Sequence, residues 1–385
     1  MKNTTLSMFI VLAVAACSQN MSTSNSAAYI TLLGNDTLAV EQFEKTDNGM
    51  QAEVILRSPE ISFTSYELEL GETGEIQKMV KRSHSPEEGF AGEGEVTQTI
   101  LNVNDSLVVE TAANEGPKRQ AVPYEKGALP FIDMVHWPFE VVLNNAAASL
   151  QDSISQPMLT GPRLSTFIIA KISEDSMTIR HPFRGVMGVD VNENGDLMHL
   201  DAGLTTRKLK VHRVPKVDID ALGERFASMD QSGTPFGELS GAESEDFSFK
   251  GADFHVEYGS PLKRGREIFG GIVPWGERWR TGANRATHFS TTQDLVIGDL
   301  NVPAGEYTLF TIPEPEGGTL IINKQTGQNG QSYDGSRDLG RVPMEINTQP
   351  EATERFTIRV EEANPGGVLK LIWDRTVFSV DFEIE

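Results

Sequence analysis

Between residues 28 and 214, apolar and polar positions alternate in short runs broken at steady intervals by turn residues. Gly34-Asn35-Asp36, Asp47-Asn48-Gly49, the stretch 71–74, the stretch 102–105 and Asn194-Gly195 supply the breaks. A period of two marks strands with one buried and one wet face. This pattern predicts strands over 37–43, 50–56, 61–70, 95–101 and 106–110, and again from 166 to 214. Residues 129–150 depart from it. Ile132, Val135, Phe139 and Val142 recur at helical spacing, which predicts one helix packed on the sheet and kinked at Pro138. The N-terminal region is therefore expected to be an antiparallel sheet, or a partial barrel, with a helical insert.

Residues 215–245 interrupt this rhythm. A short helix is expected over 218–229, followed by Ser232-Gly233-Thr234-Pro235-Phe236-Gly237, a composition typical of a linker. Beyond it, strand-like runs return at 247–258, 295–298, 306–312, 319–323, 355–361, 368–373 and 377–384. Seven or so short strands in the last stretch, residues 246–385, predict a β-sandwich. The fold class expected is mainly β, in two domains, 28–214 and 246–385.

The first residues form no part of either domain. Met1-Lys2-Asn3 is followed by an apolar run from Leu6 to Ala16 and then by Cys17, the one cysteine in the chain. That run is too short to span a bilayer core, which takes about 20 residues. A positive start, an apolar stretch and small residues before a cleavage point make a signal peptide over residues 1–16. With a cysteine directly after the small residues, it resembles a bacterial lipoprotein signal, in which Cys17 becomes the lipidated first residue. Residues 17–27 are small and polar, and are expected to tether the first domain to the membrane. No acidic run follows Cys17, which favours an outer-membrane anchor facing the periplasm. With that thiol modified, the remaining 369 residues have no disulfide, no Cys-ligated metal and no thiolate nucleophile. The formal charge of −22 disfavours nucleic acid as a partner.

Against that charge, one window stands out. Between Lys263 and Arg285 lie six basic residues (Lys263, Arg264, Arg266, Arg278, Arg280, Arg285) and two acids, Glu267 and Glu277. Trp275 and Trp279 lie within it. Arginine forks hold carboxylate or phosphate in pairs of hydrogen bonds, and tryptophan faces stack on rings. The window therefore supplies parts for an anion or glycan pocket made of Arg264, Arg266, Trp279, Arg280 and Asn284, with Tyr258 and His288 at its flanks. The same residues would equally serve as ion pairs and core filling.

In this stretch Tyr258-Gly259-Ser260-Pro261, Arg264-Gly265-Arg266-Glu267-Ile268-Phe269-Gly270, Val273-Pro274 and Trp279-Arg280-Thr281-Gly282-Ala283-Asn284 run in order. Ala304-Gly305-Glu306-Tyr307-Thr308-Leu309-Phe310, Ile321-Ile322-Asn323-Lys324 and Trp373-Asp374 follow. Together these resemble the family catalogued as domain of unknown function 2911, over about 140 residues to the C-terminus. The resemblance implies a secreted or lipid-anchored β-domain with no assigned reaction. It also implies a glutamate where this chain has Arg285, and a tryptophan where it has Asn329, so a shared catalytic acid at the first position is absent here.

Asp190, Asn192, Asn194, Gly195 and Asp201 have the spacing of a calcium loop, but Asn194-Gly195 between two strand-like runs is a strong hairpin signal. The seven histidines form no His-x-His or His-Glu-x-x-His arrangement, and no serine elbow, P-loop or dinucleotide fingerprint occurs. No cofactor is expected. The sequence points to a non-catalytic, lipid-anchored envelope protein that binds an anionic or glycan-like ligand, or a partner protein, through its C-terminal domain. The alternatives are a hydrolase of envelope glycan or peptide using His288 or a carboxylate pair, and a structural component of an outer-membrane assembly.

Overall fold

A computed structural model describes residues 25–385, so Cys17 and the segment before it lie outside the described residues. The chain is mainly β and divides into two compact units, the first ending at Phe236 and the second beginning at Gly237. No helix among the described residues is long and apolar enough to cross a membrane.

The first unit holds one fifteen-stranded sheet. Its first eight strands are β1 (Ser26–Leu33), β2 (Asp36–Thr46), β3 (Gly49–Leu56), β4 (Ser62–Leu70), β5 (Ile76–His84), β6 (Glu95–Val103), β7 (Ser106–Thr111) and β8 (Lys118–Pro123). They form a meander, each strand pairing antiparallel with the one before it. After β9 (Leu129–Pro130) and helix α1 (Trp137–Ala148) comes a second meander. It comprises β10 (Ser153–Thr160), β11 (Arg163–Lys171), β12 (Ser176–His181), β13 (Gly185–Val191), β14 (Leu197–Asp201) and β15 (Lys210–Val214). Pairing of β15 with β1 joins the two meanders. The edges are β8 and β9, and the sheet is not closed into a barrel. Those edges are consecutive in sequence, so the chain between Pro123 and Leu129 keeps them within about 21 Å. A hydrogen bond from Gln120 Nε2 to the Pro162 carbonyl (3.1 Å) crosses between the two meanders near these edges.

The two faces of this sheet carry different helices, as alternation requires. Tyr29, Thr31, Glu41 and Tyr66 face α1, whose Trp137 ring lies 5.6 Å from that of Tyr66. Val40, Ile55 and Phe63 face the other way, onto α2 (Ile219–Gln231). Two helical expectations need correction. The insert starts at Trp137 rather than residue 129, because Met134 sits at φ 65° and breaks the chain there. Pro138 therefore occupies the first turn, where its missing N–H costs nothing, and kinks no helix. Asp218 caps α2 by accepting from Ala221 N at 3.0 Å. The helix expected in a linker thus packs on the first unit.

The second unit is a nine-stranded antiparallel sheet. Its strands are β16 (Ser240–Phe249), β17 (Ala252–Pro261), β18 (Thr287–Thr291), β19 (Leu295–Ile297), β20 (Leu300–Val302), β21 (Gly305–Glu314) and β22 (Gly317–Asn323), with two long ones, β23 (Asp338–Glu362) and β24 (Gly367–Ile384). Four steps of the ladder separate β17 from β23, about 19 Å in a flat sheet. Yet Ile358 N donates to the Tyr258 hydroxyl at 3.2 Å. The sheet therefore folds over on itself, bending where the β23–β24 register breaks between Thr348 and Thr357. The enclosed core joins Phe254, Val256, Phe356, Ile358, Trp373 and Phe382.

Candidate functional site

Residues 262–286 connect β17 to β18 and carry the whole basic window. Two isolated bridges pin this connection to the sheet, Leu262 to Arg355 and Trp279 to Thr311. The Trp279 ring fills the core, 4.9 Å from Phe356 and stacked 6.1 Å from Trp373, while its Nε1 donates to Gly282 O at 3.0 Å. The connection also presses against β17 at Gly259, where a Cβ would lie 1.9 Å from the Ala283 carbonyl oxygen. Only glycine fits that approach.

Most of the cations are already engaged within the unit. Arg264 is buried, its backbone N–H donates to Glu354 Oε1 at 2.7 Å and its guanidinium donates to Glu238 O at 3.4 Å. Arg266 donates to the carbonyls of Lys263 (3.0 Å) and Leu262 (2.5 Å), tying its own loop. Lys263 pairs with Asp374 at 2.6 Å, Arg285 with Glu257 at 3.6 Å, and Arg278 lies 3.9 Å over the Tyr333 ring. Arg280 differs. Among the described residues its guanidinium has no hydrogen-bond or ion-pair partner, and burial lowers its pKa. Its aliphatic stem lies against Gly330, where a Cβ would come within 2.1 Å, and Gly330 N in turn donates to Asn284 O at 2.9 Å.

A hollow of about 410 Å³ lies beside these residues, between β16, β17 and the segment 283–288. Tyr258, Asn284 and His288 line it, together with Glu243, Glu257 and Arg285. Arg264, Arg266, Trp279 and Arg280 are not among its lining residues. The seven positions singled out in the sequence thus fall into three groups. Trp279 and the buried Tyr258 ring serve the core, Arg264 and Arg266 tie loops, Asn284 and His288 line the hollow, and Arg280 packs its stem on Gly330 outside that lining. His288 is itself occupied, since Nδ1 donates to Ala286 O (2.8 Å) and Nε2 accepts from Gly327 N (2.8 Å). Both ring nitrogens are therefore hydrogen-bonded within the unit. Arg285 and Asn329 are paired by an isolated antiparallel bridge.

The calcium spacing resolves into a hairpin between β13 and β14. Asn192 Oδ1 accepts from Asn194 N (3.0 Å) and Asp196 N (2.9 Å), Asp190 faces His199 at 3.5 Å, and Asp201 accepts from Gly203 N at 2.6 Å. The side chains of Asn192 and Asp201 are thus spent on turns and that of Asp190 on a cross-strand histidine. Among the described residues no group of three or more His, Cys, Asp or Glu is arranged to hold a metal.

Sequence reasoning missed two features of the first unit. One is a buried polar network beneath α1. Glu41 on β2 is fully buried and accepts from His136 N (2.7 Å) and Trp137 N (2.9 Å), capping the helix in trans. Glu140, also fully buried, meets Arg213 (2.9 Å), Lys45 (2.9 Å), Leu197 N (3.1 Å) and the Tyr29 hydroxyl. The other is a groove of about 670 Å³ on the opposite face of the sheet, over β2 to β5, bordered by Phe90 and Lys216. Its contributing residues lie 7 to 19 positions apart on neighbouring strands, so no local motif announces them.

Comparison with known proteins agrees with the motifs of the second unit. Residues 240–382 match the family described as "Protein of unknown function (DUF2911)". No curated protein matches the chain. Among solved structures, a DUF1089 family protein from Pseudomonas aeruginosa is similar at 13% identity and a TM-score of 0.31, over 43% of this chain and 91% of that one.

Proposed function

We propose that this protein is a lipid-anchored cell-envelope binding protein, held through Cys17 at the outer membrane and facing the periplasm, whose C-terminal unit takes an anionic, glycan-like ligand. One observation carries the reading: Arg280 keeps a half-buried guanidinium with no counter-charge among the described residues. Removing a cation from water without pairing it is unfavourable, so a carboxylate, phosphate or sulfate beside it recovers that cost. The neighbouring hollow offers Asn284, Glu243 and Glu257, groups suited to ligand hydroxyls. Arg280 would hold the anion and the hollow would orient the rest.

Isothermal titration of the mature chain with sulfated, uronate-bearing and neutral oligosaccharides tests this. At least one acidic sugar should bind, and Arg280→Ala should weaken it at least tenfold without lowering the melting temperature. Equal affinity of the variant, or no binding by any acidic sugar, ends the proposal. Membrane attachment is tested separately. Cys17→Ala should release the protein into the soluble fraction and abolish radiolabelled palmitate incorporation.

A further inference from the structure

The groove on the first unit has a chemistry of its own. Register places Gln42, Glu53, Ser65 and Arg82 side by side across β2, β3, β4 and β5. A second row, Glu44, Gln51 and Glu67, runs beside it. Neighbours in a row are about 4.8 Å apart, comparable to the length of one pyranose ring. Carboxylates, amides, a hydroxyl and a guanidinium therefore alternate as acceptors and donors along a trough of about 670 Å³. Gln42 Nε2 donates to Glu53 at 3.3 Å and Arg82 pairs with Glu67 at 2.8 Å, which fixes the orientation of both rows.

His84 sets the hydroxyl at the centre. Its Nε2 lies 2.8 Å from Ser65 Oγ, while its Nδ1 is buried with no partner. The ring is clamped by packing. Phe90 lies edge-on at 5.4 Å, and a Cβ on Gly94 would come within 2.6 Å of the ring. A neutral imidazole carries one proton, and a buried N–H without an acceptor is costlier than a bare ring nitrogen. The proton therefore belongs on Nε2, which donates to Ser65. Ser65 then cannot give its own proton to His84, so the pair is no nucleophile and base. Its hydroxyl hydrogen is free to point into the groove.

We infer that this groove is a second ligand site, which binds a neutral oligosaccharide laid across β2 to β5, with Ser65 donating to it, Glu53 accepting from it, Gln42 orienting Glu53 while its own oxygen accepts from Val217 N at 3.2 Å, and Phe90 at its rim. Four carboxylates (Glu44, Glu53, Glu67, Glu93) against the cations Arg82 and Lys216 make the trough repel an acidic sugar. The site is thus chemically distinct from that at Arg280, and the inference stands without it. His84 is a positioning residue.

The test titrates the full mature chain with cellohexaose, maltohexaose, chitohexaose and hexagalacturonate at up to millimolar concentration. At least one neutral hexasaccharide should bind more tightly than hexagalacturonate. Ser65→Ala and Gln42→Ala should each weaken it at least fivefold with an unchanged melting temperature, and Arg280→Ala should leave it unaltered. The imidazole nitrogen-15 shifts of His84 should show the proton on Nε2. Absence of binding by all three neutral sugars, equal affinity in both groove variants, loss in Arg280→Ala, or a proton on Nδ1 would overturn the inference.

Discussion

Glu140 on α1 and Arg213 on β15 meet at 2.9 Å inside the first unit, with the carboxylate fully buried and the guanidinium nearly so. Lys45 adds a second cation at 2.9 Å, and the Tyr29 hydroxyl donates to the same carboxylate. Burial, with the Glu140 charge beside it, pushes the Tyr29 pKa up, so the phenol stays a donor. Such a cluster holds α1 against the sheet through geometry more than through net energy, because burying each ion is itself costly. Breaking it is another matter. Glu140→Ala leaves Arg213 uncompensated and should lower stability by about 3–5 kcal/mol, read from the urea midpoint. Replacing Glu140 and Arg213 together by leucine and methionine should cost clearly less than the sum of the single changes.

His181 gives the first unit a pH dependence. Its ring lies 4.7 Å from Phe167 and 5.3 Å from Phe131, and its Nδ1 accepts from Phe183 N at 3.1 Å. Burial, reinforced by Arg184, lowers its pKa from 6.5 to about 4. The folded state thus prefers the neutral ring. The stability this confers is complete above the unfolded pKa of 6.5 and is lost as pH falls from there to about 4. His212 is shifted the same way by burial and His199, and adds to the slope. Asp196 acts lower down. Burial would raise its pKa, but hydrogen bonds from Lys45, Asn192 and Asn144 hold it well below 3.8, so its contribution disappears only under more acid conditions. Urea midpoints at pH 7 and pH 5 should therefore differ, and His181→Gln should reduce the difference by roughly half. An unchanged difference would refute the assignment.

Much of the β framework was legible because alternation writes strands directly: runs expected at 50–56, 61–70 and 106–110 lie within a residue of β3, β4 and β7. The expected run 247–258 is instead a hairpin, turned at Lys250 (φ 52°) and Gly251 (φ 81°), because apolar residues continue on both sides and hide the reversal. Residues 129–136 mimic a helix through Ile132 and Val135, whose pairing is an isolated bridge in a loop. The candidate sites were harder for a different reason. Charge composition locates cations but not their partners, and Asp374, which pairs with Lys263, lies 111 residues away. Ser65 and His84 meet only because β4 and β5 are adjacent.

Arg280 should be a liability when no ligand is present. Its guanidinium is half-buried and unpaired among the described residues, so Arg280→Met keeps the stem that packs on Gly330 while removing the charge. In ligand-free protein this variant should be more stable than wild type, by on the order of 1 kcal/mol, as seen in its melting temperature. Arg264→Met is the contrasting case. It removes the side chain from the Glu238 carbonyl and should destabilise the second unit. Opposite signs from two neighbouring arginines distinguish a residue kept for a ligand from one kept for the fold.

The loop after β22 hangs on His288. Gly327 N donates to Nε2 at 2.8 Å while Nδ1 donates to Ala286 O at 2.8 Å, so the bond to the loop requires the neutral ring with its proton on Nδ1. Protonation converts the acceptor to a donor facing an N–H, and the contact must open. His288→Phe keeps the ring volume without the acceptor. Losing one such bond is worth about 1 kcal/mol, a factor of about 5 in the opening equilibrium. Amide exchange at Gly327 should therefore accelerate about fivefold in His288→Phe. Core amides such as Ile322 and Leu309 should be unchanged. Because Gly330, three residues further on, packs on the Arg280 stem, the same variant should also weaken any acidic ligand held there. Unaltered exchange at Gly327 would show that the loop is held by its other bonds, Gly330 N to Asn284 O among them, and not by this histidine.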